Sequence, residues 1–292
     1  MEGRRSGGAF RVIATLLALA VAASWGTGDF LGGLSARSLP ITVVLSVSQC
    51  VGTLLALVVV LAVGHPMPGA TTLLYGVAAG LFGIAGLAAL YTGLAVGRMG
   101  IVAPITSMSA FVPVAVGILR GERPSTLQIV GMVLALIGVA FAARAEEQEA
   151  EEEGKRLATG VGYALAAAVL LGVTLVLLDI AGHRDGAWAV LSLRVGALTG
   201  LGIAVSVVRP SLRMSARNAG TLVAVGVFDT GANLLFVLAV VRGMLSVVSV
   251  LGSLYPVSTV ILARTFLHER MRRSQAFGVV AAMVGVVFIA AG

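Results

Sequence analysis

The sequence predicts an all-α integral membrane protein: ten transmembrane helices, arranged as two inverted five-helix repeats around a central cavity. Three observations carry this expectation. Of 292 residues, 58% are hydrophobic and only 11% charged, and the mean hydropathy is +1.04, more apolar surface than a soluble core of this length can hide. Cutting the chain at its charges, prolines and turn clusters leaves ten apolar runs, each near the length of about 20 residues that crosses a bilayer. The closing segments of the two halves also match one another at a constant spacing.

The runs lie at 11–34, 41–63, 70–95, 100–119, 124–143, 157–180, 187–208, 218–241, 244–265 and 274–291. The first follows a basic start, "MEGRR", as a signal peptide would. Its apolar stretch is long and no small-x-small site precedes a polar domain, so it is taken as a retained helix. The second begins after "ARSLP" and ends at "GHPMPG". The third carries "GVAAG", and the first and seventh carry "GDFLG" and "GALTG", the small-residue spacing of closely packed transmembrane helices. Pro104 and Pro113 interrupt the fourth run and Pro256 interrupts the ninth, its counterpart in the other half. The fifth leads into the polar "ARAEEQEAEEEGKR", a solvated linker. The organisation is therefore a first repeat at 1–143, an acidic linker at 144–156 and a second repeat at 157–292.

Laying "GERPSTLQIVGMVLALIGVAFAA" over "HERMRRSQAFGVVAAMVGVVFIAA" aligns Glu122 with Glu269, Arg123 with Arg270 and Gln128 with Gln275. The same offset aligns Gly131 with Gly278, Gly138 with Gly285 and Phe141 with Phe288. Five is odd, so the second half enters the membrane inverted relative to the first. Glu122 and Glu269 each precede a helix start, where a carboxylate favours the positive end of the dipole.

Paired five-helix halves closing on "GE" or "HE" plus Arg, then Gln and a G-x6-G-V helix, and opening on "ASWGTGDFLGG", resemble the EamA-domain branch of the drug/metabolite transporter superfamily. The resemblance covers nearly the whole chain. It implies a ten-helix fold with a cavity between the halves, alternating access, and small metabolites or drugs as cargo, often amino-acid-like and often exported. It also implies a multi-pass location in the cytoplasmic membrane of a bacterium, with both termini in the cytoplasm. The basic residues of the whole chain favour the reverse orientation, whereas the first half alone obeys the positive-inside rule.

Other classes are excluded residue by residue. The net charge of +7 sits in loops between apolar runs, so the counter-charge is lipid headgroups rather than nucleic acid. The single cysteine, Cys50, permits no intramolecular disulfide. His65, His183 and His268 fall in loops without ligand spacing, so no metal is expected. No G-x4-G-K-[ST] cradle exists for a nucleotide, and no cofactor is expected. Lysine occurs in no run and no catalytic constellation is visible, which argues against an enzyme. A secondary carrier remains, as a monomer or homodimer, moving polar or amphipathic metabolites or drugs. The alternatives are a proton-coupled multidrug or cation efflux carrier and a non-transporting scaffold or sensor. The last would not need matched broken helices.

Polar residues inside runs are few. Asp229 and Asn233 share one face of the eighth run by i, i+4 spacing, too deep for a short aspartate stem to reach headgroups. Arg194, in the preceding run, is the cationic partner within reach, and Gln49 occupies the matching place in the first half. The pair is either a structural strut or a clamp that opens for a carboxylate and an amine. The expected cavity lining is Trp25, Gln49, Tyr91, Ser107, Arg194, Asp229, Asn233, Ser253 and Tyr255. Asp29 and Asp229 are the candidates for proton coupling, although Asp29 is also compatible with an interfacial position.

Overall fold

In a bilayer every backbone N–H and C=O must find its partner within its own segment, so apolar runs of this length become helices. The computed structural model describes residues 2–36, 38–96, 102, 105–142, 153–208, 216–267 and 273–292. The first half holds α1 (Glu2–Ala36), α2 (Ile41–Val63), α3 (Ala70–Val96), α4 (Phe111–Leu119, entered through a 3-10 turn at Met108–Ala110) and α5 (Thr126–Ala142). The second holds α6 (Glu153–Gly182), α7 (Gly186–Val208), α8 (Ala216–Val240), α9 (Leu245–Gly252), α10 (Tyr255–Leu267) and α11 (Arg273–Ala291). No strand occurs among the described residues.

Among the described residues, six segments are long and apolar enough to cross a membrane: Val12–Ala36, Ile41–Val63, Ala70–Val96, Gly160–Gly182, Gly186–Val207 and Asn218–Val240. Four shorter apolar helices accompany them, at Ile105–Leu119, Thr126–Gly138, Leu245–Ser258 and Ala276–Ile289. Large apolar side chains such as Leu54, Leu61, Val207, Val280 and Val287 point outward, where water would be a poor solvent for them. Inward stripes hold small residues and a sparse set of polar ones. α6 already begins at Glu153, so the end of the 144–156 linker is helical. Residues 144–152 of that linker, together with Pro104, His268, Glu269 and Arg270, lie outside the described residues.

The helices pack mostly across the halves. α3 lies on α6 and α7, α8 lies on α1 and α2, α2 touches α7, α4 touches α9, and α5 pairs with α11. Exchanging the halves, with α1 for α6, α2 for α7, α3 for α8, α4 for α9 and α10, and α5 for α11, maps this pattern onto itself. The repeated G-x6-G motif acquires its reason here. A Cβ at Gly131 would meet the Gly285 carbonyl at 2.7 Å and one at Gly138 the Gly278 carbonyl at 2.7 Å, so α5 and α11 run antiparallel with glycine against backbone. α3 and α7 run parallel at equally close approach, Gly80 against Leu193 and Ala197, and Gly200 against Leu81 and Ile84.

Glu122 does not serve the helix that follows it. Ser125 and Gln128 cap α5 reciprocally: the Ser125 amide donates to Gln128 Oε1 at 2.9 Å and the Gln128 amide to Ser125 Oγ at 3.1 Å. Gly121, at φ 92°, takes the left-handed conformation that folds the chain back after α4. Glu122 thereby reaches the other half, where its two carboxylate oxygens accept from the amides of Leu245, at 2.6 Å, and Ser246, at 3.0 Å. A carboxylate of the first repeat thus caps the N-terminus of α9 in the second.

Candidate functional site

Close packing of α3 on α7 through Gly80 and Gly196 turns the next face of α7 toward α2 and α8. Arg194 projects from that face and is 1% exposed, so it is interior and does not snorkel. Its Nη1 donates to Gln49 Oε1 at 2.8 Å and to Asp229 Oδ2 at 2.7 Å. Gln49 and Arg194 hold matching places in the two halves, and here they touch each other where α2 meets α7. Gly52 leaves room for the guanidinium, since a Cβ there would lie 3.3 Å from Arg194 Cζ. Arg194 Nε and Nη2 have no hydrogen-bond partner among the described residues. The Asp229 side chain is 17% exposed, so the pair has one buried end and one open end.

The open end faces a cavity between the halves, whose space, mouth included, is about 770 Å³. Trp25, Asp29, Gln49, Arg194, Asp229, Asn233, Ser253 and Tyr255 all line it. Asp29 is therefore on the cavity wall. Tyr91 and Ser107, expected in the wall, are not in it. Tyr91 lies next to the cavity stripe of α3 (Gly80, Gly83, Ile84, Leu87, Leu90), on a face turned toward α1, with its hydroxyl end against Gly32. Ser107 is buried before the 3-10 turn, and the tighter turn brings Ser109 to the wall in its place. Thr174 and Ser249 also line the cavity. Ser249 was signalled by its closeness to Pro256, whereas Thr174 had no signal, because its hydroxyl bonds the Leu170 carbonyl at 2.9 Å as threonines in any helix do. The remaining wall is aliphatic: Ile84, Leu87, Leu90, Leu171, Leu175 and Leu193.

The break between α9 and α10 forms one side of the site. The Leu254 amide donates to the Leu251 carbonyl at 3.2 Å and the Val257 amide to the Leu254 carbonyl at 2.9 Å, a tightened i, i+3 pattern around Pro256, which has no N–H. α1 abuts this break: a Cβ at Gly26 would lie 2.6 Å from the Tyr255 carbonyl, and one at Gly252 would lie 3.3 Å from the Trp25 ring. Trp25 in turn leans on buried Phe236, with ring centroids 6.0 Å apart.

A second polar group closes the end of the bundle where α6 turns into α7. Asp179 is 4% exposed, more deeply placed than its sequence position at a run end suggests. Arg120 Nη1 of the first half donates to Asp179 Oδ2 at 2.8 Å, and His183 Nδ1 lies 3.2 Å from Oδ1. His65 is 2.7 Å from Asp185, and the Trp188 indole donates to the His65 carbonyl at 3.2 Å.

No curated protein matches the chain. A crystal structure of another protein, 20% identical, superimposes with a TM-score of 0.76 over 94% of this chain and 95% of that one, which shows a common fold. The model of the EamA-like transporter family matches twice, at residues 12–144 and again at 158–291. With its duplicated match and its apolar helices, this chain is a multi-pass membrane protein that belongs to the EamA-like transporter family.

Proposed function

We propose that the protein is a secondary carrier that moves small amphipathic metabolites, amino-acid-like compounds or drugs across the cytoplasmic membrane by alternating access, in the direction of export. In this reading the six long and four shorter apolar helices are ten spans, and the two halves are inverted-topology repeats. The antiparallel course of α5 and α11, which are counterparts, supports the inversion. One observation carries the functional reading. A cavity at mid-helix depth draws polar side chains from both halves (Asp29, Gln49 and Ser109 from one, Thr174, Arg194, Asp229, Asn233, Ser249, Ser253 and Tyr255 from the other) onto a wall that is otherwise apolar. Such a mixture suits a solute with an apolar body and a few polar groups. Because the wall is shared, movement of one half against the other changes which side the cavity faces.

Energy comes from the solute gradient or from protons. A proton-coupled efflux of cations is the second reading, favoured by the presence of Asp29 on the cavity wall. Purified protein in liposomes, offered pooled amino acids and cationic dyes, tests both. Flux of either class supports a carrier, and dependence of that flux on an imposed pH gradient separates the two energy sources. Absence of flux for every solute, in protein that binds them, contradicts both.

A further inference from the structure

We propose that Asp29 and Ser249 form an ammonium site on the cavity wall, and that the cargo is an organic amine with an apolar body. The inference rests on the carrier reading and adds to it the chemical group that the cargo must bring.

The two cavity carboxylates are not equivalent. Asp229 is matched by Arg194, which is itself held by Gln49. Asp29 lines the same cavity and has no hydrogen bond or ion pair among the described residues. A carboxylate at this depth requires a partner, a proton or water. Arg194 is the sole cationic side chain among the described residues of the wall, and it is already matched. A cationic cargo would supply that partner.

A second group points the same way. Ser249 is 1% exposed, its hydroxyl has no hydrogen-bond partner among the described residues, and it lines the cavity. Its helix ends at Gly252, the negative end of the α9 dipole. A hydroxyl accepts as well as donates, and an ammonium with three N–H donors and a positive charge complements that hydroxyl plus an acid. α1 abuts the break one turn before Asp29, so the acid and Ser249 line the cavity from adjoining helices. Trp25 and Tyr255, aromatic side chains of the kind that stabilise a cation, line the same cavity. Across the cavity, Leu87, Leu90, Leu171 and Leu175 provide the apolar wall for the body of the amine.

The test uses the full-length protein with Trp188→Phe, which leaves Trp25 as the sole tryptophan of the original two. Trp25 emission is followed while phenethylamine, cyclohexylamine or 3-phenylpropionate is added. Saturable quenching by the amines and none by the acid is expected. Asp29→Asn should weaken amine binding by about tenfold or more, and Ser249→Ala by about threefold, with melting temperatures unchanged. Should Asp29→Asn fail to fold, the amine-against-acid comparison and Ser249→Ala still decide. Binding of 3-phenylpropionate as tight as that of phenethylamine, binding of neither amine, or wild-type affinity in folded Asp29→Asn would each overturn the site. Amines that bind but never cross proteoliposomes would overturn the carrier reading and leave the site intact. Transport of the acid without amine binding would do the reverse.

Discussion

Arg194 and Asp229 meet at 2.7 Å with unequal surroundings, the guanidinium 1% and the carboxylate 17% exposed. Removing one partner of such a pair leaves an uncompensated buried charge, at a cost on the order of 3–5 kcal/mol. Asp229→Asn should therefore lower the melting temperature in detergent by several degrees, and Asp229→Asn combined with Arg194→Gln should recover most of the loss, because Gln49 can hydrogen-bond either replacement. A differential-scanning measurement that finds the single mutant as stable as the wild type contradicts the strut. A double mutant that regains stability without transport would mean that the pair also acts on cargo. Glu122 acts differently, through two charge-assisted bonds to the amides of Leu245 and Ser246. Glu122→Gln keeps one acceptor, and the loss should be roughly 1.5–3 kcal/mol. The change should appear as faster amide exchange at 245–246, at the start of the broken helix, and unaltered exchange there would discard the cap.

At the level of elements, glycine sets how near the helices come. A Cβ at Gly80 would collide with the Leu193 carbonyl and one at Gly196 with the Val77 carbonyl, so α3 and α7 touch along their backbones. Gly80→Ala must push them apart at the wall of the cavity, and a destabilisation of about 1–3 kcal/mol with reduced transport is the expected result. Gly202→Ala, where a Cβ meets nothing, is the control and should be silent. Much of this level was legible in the sequence, because the motifs at 76–80 and 196–200 and the repeated G-x6-G are visible as spacing. Their partners were not, since spacing says that a face is smooth and not which helix lies on it. Glu122 illustrates the limit: its neighbours in sequence point to α5, whereas the Gly121 turn delivers it to α9. Tyr91 and Ser107 missed the wall for a related reason, one step of rotation along a helix or a 3-10 turn, which composition cannot register.

For the whole molecule, the interleaving of the halves has a consequence for topology and for transport. In the proposed arrangement of two inverted five-span halves, both termini lie on one side and the 144–156 linker on the other. Cysteines at Ser6, Glu149 and Gly292 in a Cys50→Ala background should label accordingly with an impermeant reagent. Ser6 and Gly292 on opposite faces would end the ten-span arrangement. The repeat itself was readable from the aligned closing segments, and so were Gln49, Arg194 and Asp229 as polar groups too deep to be loop decoration. The aliphatic wall was not, because leucines of a cavity and leucines facing lipid look alike in a hydrophobic run. In the proposed carrier one cavity, shared by the halves, faces the two sides of the membrane in turn. Its most direct test places a single cysteine at Asn233, on the cavity wall, and applies an impermeant thiol reagent separately to right-side-out and inside-out vesicles. Alternating access requires labelling from both sides, slowed on each by transported solute. Labelling from one side alone, unchanged by any solute that the protein binds, would contradict it.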